Sequence, residues 1–278
     1  MRSQIASVLP RSTRSPVTSV IGRPSGGQVR FVPGSVALRG GAVAGAIDAV
    51  GMDVVGFASG DRVAYLGGKI NGVTLVDSEN LIGIPRDISD EQAAALLPKG
   101  LVARVLVKET HAVGGRETVL VHAAAGLLGS LIVGWAKLLG ATVIATVGSA
   151  SSRTRALQAG ADHVIVFGDE NVSERVLVLT GGRGVDVVYD GVGEATADAS
   201  LASLRRGGEL VLYGRGDRRA RDADQEVRVL RPRLSDHLRA GSIQQGAADL
   251  FLAIRSGAFD GVDIARLVTD PSAVALAA

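Results

Sequence analysis

The sequence contains no cysteine. That excludes disulfides, thiolate zinc sites and a cysteine nucleophile. Histidine is scarce too. His111, His122, His163 and His237 lie far apart, with no HxxxH-type pairing, so no metal site is expected. Aromatics are only 3% of the 278 residues, against 46% hydrophobic. The chain is therefore long and apolar enough to bury a sizeable core, as one large domain or two modest ones. Charge is nearly balanced at a formal +2, too mild to argue for a nucleic-acid partner. No apolar run approaches the ~18 residues that a membrane helix needs without meeting glycine or charge. Acid is missing from the N-terminus, where Asp48 is the first carboxylate. The opening "MRSQIASVLPRSTRSPVTSVIGRPSGGQVR" has the Arg- and Ser-rich composition of a transit peptide. Prolines at 10, 16 and 24 break any amphipathic helix there, and a disordered or altered N-terminus is the preferred reading. The expected location is cytoplasmic.

What is present is glycine, 37 residues against 8 prolines, the balance of an α/β protein with many tight turns. Short strands are expected at 42–51 and 61–66, with β character continuing over 72–85. Ser89 followed by Gln92 is a capping-box pattern that opens a helix. From residue 117 the pattern alternates. Strands are expected at 117–122, 142–147, 163–167, 185–190, 209–214 and 227–232. Helices fall between them at 150–159, 171–179 and 194–205, with a last one near 243–256. Apolar strands alternating with helices of this length make a doubly wound parallel sheet.

"VLVHAAAGLLGSLIVGWAKLLGATVIATV" (119–147) is a strand, a turn of small residues, a helix and a second strand. The dinucleotide fingerprint falls on Ala124, Gly126 and Gly129. In it one glycine admits the pyrophosphate and another lets helix and strand pack closely. Ala125 to Gly129, with Leu127 and Leu128 in the first helical turn, would present backbone N–H groups to an anion. The competing reading is a glycine-assisted helix start with no ligand. After the next strand, "TVGSASSRTR" has no acid for a ribose diol. Ser149, Ser151, Ser152 and Arg153 can instead donate to a 2′-phosphate, which favours NADPH over NADH. The bland alternative is a polar helix start with Ser149 as its cap.

"VHAAAGLLGSLIVGWAKLLGA", "GGRGVDVVYDGVG", "LPKGLVARVLVKE", "FASGDRVAY" and "ISDEQAAALL" resemble the quinone oxidoreductase (zeta-crystallin-like) branch of the zinc-free medium-chain dehydrogenase/reductase superfamily. The resemblance covers roughly residues 42–256. It implies a doubly wound Rossmann sheet with a smaller GroES-like domain. It also implies hydride transfer from NADPH to quinones or related α,β-unsaturated carbonyls, by homodimers. Several positions depart from the family. Leu127 stands for a second turn glycine. The 2′-phosphate lysine falls on Ser152, with Arg153 beside it. The adenosine-side tyrosine falls on Phe167, and a threonine near the nicotinamide falls on Val102. The loop after Gly214 carries Arg215 in place of a neutral polar residue.

The divisions implied are an atypical segment at 1–40, a partial GroES-like substrate domain at 41–114, a Rossmann domain at 115–256 and a shortened return at 257–278. The substrate domain looks incomplete, because 1–40 lacks the family's strand pattern and pocket Asn and Tyr, and slow turnover is expected. Gly191 and Val192 can meet the nicotinamide through backbone, or simply end a strand. Lys99 faces a ligand or solvent. Tyr65 and Trp135 read as packing, and 215–233 as a solvated loop. Within enzymes the alternative is an enoyl or alkenal reductase. Outside them it is a catalytically impaired NADPH-binding protein. The partner expected is a small quinone or enone, with no nucleic acid and no membrane. Chelators are expected to leave stability and activity unchanged, and stoichiometric zinc on elemental analysis of the purified protein would contradict this.

Overall fold

The computed structural model describes residues 23–37, 42–66, 72–214, 227–237 and 240–264. Arg215 and most of the atypical N-terminal stretch lie outside them. Two sheets organise the chain. The first is antiparallel and five-stranded, in the order β4-β1-β2-β3-β5. Its strands are β1 Gln28–Ala37, β2 Val43–Val50, β3 Arg62–Tyr65, β4 Thr74–Asp77 and β5 Leu81–Gly83.

β1 departs from the sequence reading, which found no strand pattern before residue 41. Val29 and Phe31 are fully buried, while Arg30 turns outward to bond Asp48 (Nε to Oδ2, 2.7 Å). The alternation is real but short. Register shifts fall between Arg30 and Phe31 and again after Pro33. Those irregularities hide a period of two from a linear reading.

Helix α1, Asp90–Val105, follows. The predicted box is formed. Ser89 Oγ accepts from Gln92 N at 3.1 Å, and Gln92 Oε1 accepts from Ser89 N at 3.0 Å. Its last turn widens into a π turn over Leu106–Thr110.

The second sheet is parallel and six-stranded: β6 Thr118–Val121, β7 Thr142–Val147, β8 His163–Val166, β9 Val185–Asp190, β10 Leu204–Leu212 and β11 Arg228–Leu230. Its order is β11-β10-β9-β6-β7-β8. Read from β8, that is the 3-2-1-4-5-6 order of a Rossmann sheet, reversing direction between β6 and β9. The connecting helices are α2 Leu127–Leu138, α3 Arg153–Gln158, α4 Val172–Leu179 and α5 Ala197–Ser203. α6 Leu234–His237 and α7 Ala240–Arg255 follow the last strand. The strands are apolar throughout because both faces are covered. Val119, Val121, Val187 and Tyr189 enter one core, and Leu120, Val188 and Ile144 enter another. Trp135 of α2 packs edge-on against Phe259, ring centres 5.8 Å apart, and is core as expected. α5 is shorter than the predicted 194–205, because a turn over Gly193–Thr196 precedes it and β10 begins at Leu204. Among the described residues no helix is long and apolar enough to cross a membrane.

One charge ties the starts of three strands together. Asp186 Oδ2 accepts from Thr118 N (2.7 Å), and its carboxylate pairs with Arg183 (2.9 Å) and Arg205 (2.7 Å). Burial opposes its ionisation. The bonds from Arg183, Arg205 and Thr118 outweigh that and hold the carboxyl at about 2. The folded value lies below the unfolded one near 3.9, so this stabilisation is present above about pH 4 and is lost as pH falls through about 2. Asp186→Asn is therefore expected to cost roughly 2 kcal/mol at pH 7 and progressively less at acid pH. Urea unfolding of both proteins across that range checks it. A cost independent of pH would contradict it.

Candidate cofactor site

β6 ends at Val121, and the chain must reverse into α2 within a few residues. Ala123 makes the sharp step with φ 51°, alone among the described non-glycine residues in having positive φ. The left-handed residue is thus Ala123, one place before the fingerprint's first position. Ala124 is fully buried, and its N–H reaches Thr146 O at 2.9 Å. Ala123 O then accepts from Gly126 N at 2.9 Å, which closes the turn.

The two glycines do different work. A Cβ on Gly129 would lie 2.5 Å from Ala123 O and 2.8 Å from Ala124 Cα, so the helix can approach the strand end only with glycine there. A Cβ on Gly126 would meet only Ala123 O, at 3.3 Å. The fold itself nearly has room for a side chain at 126. What glycine leaves there is an open floor in front of the helix. Gly126 is also the cap of α2 and has no side chain to bond the first turn. The first intrahelical bond is Ser130 N to Gly126 O, leaving the N–H groups of Leu127, Leu128 and Gly129 ahead of it. Ala125, Leu127 and Leu128 are partly buried against the main core. The leucines therefore pack inward and do not fill the floor.

Below the turn lies a buried polar relay that the sequence did not signal. Asp190 Oδ1 accepts from Val192 N and Gly193 N, both at 2.9 Å. Thr196 Oγ1 and Ser200 Oγ each donate to Asp190 Oδ2 at 2.7 Å. With its proton committed to Asp190, Ser200 Oγ accepts from His122 Nε2 at 3.0 Å. His122 Nδ1 is then the acceptor for Thr146 Oγ1 at 2.9 Å. Burial holds the imidazole below the usual histidine range, although the Asp190 charge pulls the other way. A neutral Nε2–H ring thus links the ends of β6, β7 and β9. The residue types were visible in the sequence, but only the fold brings positions 122, 146, 190 and 200 together.

The candidate residues line one edge of the parallel sheet, at the carboxyl ends of its strands. In spatial order they are Phe167 after β8, Ser149 and Ser152 after β7, Gly126 after β6, Val192 after β9 and Gly214 after β10. Backbone bonds continue the ladder at this edge. Phe167 N reaches Val147 O at 2.7 Å and Tyr213 N reaches Asp190 O at 3.1 Å. Phe167 and Val192 are more than a third exposed. Ser149 caps the short helical turn before α3 without a side-chain cap bond. Its hydroxyl instead meets those of Ser151 (3.0 Å) and Ser152 (3.1 Å). Arg153 turns away, donating to Val164 O at 2.8 Å and lying 3.6 Å from Glu170. At the other end a Cβ on Gly214 would fall 2.3 Å from Gly191 O, and one on Gly191 would fall 2.4 Å from the Tyr213 ring. The two strand ends pack backbone to backbone. Burial, with the Asp190 charge adding to it, raises the Tyr213 phenol. Tyr189 is fully buried, its hydroxyl near Leu106 O and His111 O at 3.4 Å, and belongs to the core. Val102 is buried on α1, and burial lowers the half-buried Lys99 ammonium.

Residues 128–234 match the zinc-binding dehydrogenase family. The residues present do not fit zinc. The chain has no cysteine, and no described group of three His, Asp or Glu residues could hold a metal. The chain is 42% identical over 185 residues to a quinone oxidoreductase of Pseudomonas aeruginosa, covering 66% of this chain and 57% of that protein. It thus spans little more than half of that relative. Against quinone oxidoreductase 1 of Escherichia coli K12 it is 36% identical over 234 residues, covering 80% of this chain and 71% of that one. The crystal structure of the Escherichia coli quinone oxidoreductase complexed with NADPH superposes with a TM-score of 0.75 at 31% identity, covering 86% and 82% of the two chains.

The two glycines give a paired test. Gly126→Val is expected to stay folded, with a smaller loss of thermal midpoint than Gly129→Ala, and to lose NADPH binding. Gly129→Ala is expected to lower the midpoint, because its Cβ meets backbone that cannot yield. NADPH binding by Gly126→Val at normal affinity would show that the turn is purely structural.

Proposed function

The chain belongs to the quinone oxidoreductase branch of the medium-chain dehydrogenase/reductase superfamily, and on that premise we propose that it is an NADPH-dependent reductase of quinones and related α,β-unsaturated carbonyls. One observation carries this reading. A continuous edge of backbone donors and glycines runs from the hydroxyl cluster at Ser149–Ser152, past the open helix start at Gly126, to the packed strand ends at Gly191 and Gly214.

The residues fit such a cofactor in three parts. The N–H groups of Leu127, Leu128 and Gly129 take the pyrophosphate, favoured by the positive end of the α2 dipole. No acid lies between Val147 and Arg155, so nothing there repels a 2′-phosphate, and the serine hydroxyls can donate to it. Phe167 offers a ring at the adenosine end. The backbone at Gly191–Val192 and Gly214 bounds the nicotinamide end. Bound NADPH supplies the hydride, and the chain's task is to place the acceptor and exclude water. Val102 provides no hydroxyl where the family has threonine, and a lower rate than in those relatives belongs to the proposal. So does action as a homodimer.

Oxidation of NADPH and NADH with benzoquinone, phenanthrenequinone and a simple enone tests the reading. NADPH is expected to bind at least about tenfold more tightly, as one charge-assisted contact to the extra phosphate implies. Turnover is expected with quinone or enone. Binding without turnover on every acceptor would favour a non-catalytic NADPH-binding protein. Equal affinity for the two cofactors would remove the preference for NADPH.

A further inference from the structure

Of the two arginines near the serine cluster, the one adjacent in sequence is spent elsewhere. Arg153 bonds the end of β8 through Val164 O and faces Glu170. Arg155 behaves differently. Its Nη2 donates to Ser152 Oγ at 2.8 Å, and Ser152 Oγ in turn meets Ser149 Oγ at 3.1 Å. Positions 149, 152 and 155 are three apart, so the helical turn brings them onto one face, while 153 is rotated away from it. Among the described residues no carboxylate pairs with Arg155. Its buried Nε–H also has no acceptor, so the protein leaves this guanidinium's hydrogen-bonding set open.

We infer that Arg155, acting with Ser149 and Ser152, is the cation that selects the phosphorylated adenosine ribose, and that Arg153 holds the end of β8 in place. This rests on the NADPH reading above and assigns its specificity to one side chain. A guanidinium suits the role because it stays charged and presents several donors to phosphate oxygens at once. The two hydroxyls orient it and can donate to the same oxygens.

The test measures dissociation constants for NADPH and NADH, and displacement by the fragment adenosine 2′,5′-bisphosphate, in wild type, Arg155→Gln, Arg155→Lys and Arg153→Gln. Arg155→Gln is expected to weaken NADPH and the bisphosphate at least about tenfold and leave NADH unchanged. Arg155→Lys should recover part of the loss. Arg153→Gln should keep the wild-type ratio of the two affinities. Loss of that ratio in Arg153→Gln, with retention in both Arg155 variants, would overturn the assignment. An equal loss of both cofactors in the Arg155 variants would also overturn it. Wild type showing no preference would instead overturn the NADPH reading itself.

Discussion

Everything at the candidate site depends on how closely α2 approaches the end of β6. Gly129 sets that distance, because a single methyl there would sit 2.5 Å from the Ala123 carbonyl. Bringing the helix so near the strand has two consequences. The first-turn N–H groups open directly onto the edge of the sheet, and the Ala123 carbonyl is committed inward to Gly126 N. What faces outward from the turn is therefore a set of donors. The left-handed Ala123 is the local strain accepted for this geometry, and the bonds made by its neighbours His122 and Ala124 hold it in place.

Charge is arranged to the same end. Asp190 sits next to the edge but is buried, and four donor groups, from Val192, Gly193, Thr196 and Ser200, surround it. Its negative charge is absorbed by the fold and does not confront an anion at the turn. The neutral His122 ring carries that network across to β7. Just after β7 no carboxylate stands between Val147 and Arg155, and hydroxyls take that place, backed by arginine. The edge thus offers donors at its middle and on the β7 side, and closely packed backbone at Gly191 and Gly214 on the other.

Much of this was legible in the sequence. Period-two and continuous apolar runs place all six parallel strands, and β9 falls on 185–190 as expected. The Ser89–Gln92 spacing marks the start of α1, and the small-residue turn locates α2. Strand β1 was missed because two register shifts and Pro33 break its alternation. Arg153 stands beside the serines in the chain, but helical geometry brings Arg155 to them. The His122 relay was invisible because its members are far apart in sequence and meet only when β6, β7, β9 and α5 have packed. Gly126 and Gly129 were given different roles by the fingerprint, and the built turn puts backbone 2.5 Å from a Cβ at Gly129 but leaves 3.3 Å at Gly126.

The most direct measurement of the central claim is the backbone amide spectrum of the isotope-labelled chain during NADPH addition. The account predicts that the amides of Leu127, Leu128 and Gly129 show the largest shifts, as pyrophosphate oxygens accept from them, with Ser149–Ser152 following. Saturating NADPH that leaves these amides unmoved, or that moves residues away from the carboxyl edge of the parallel sheet instead, would contradict it.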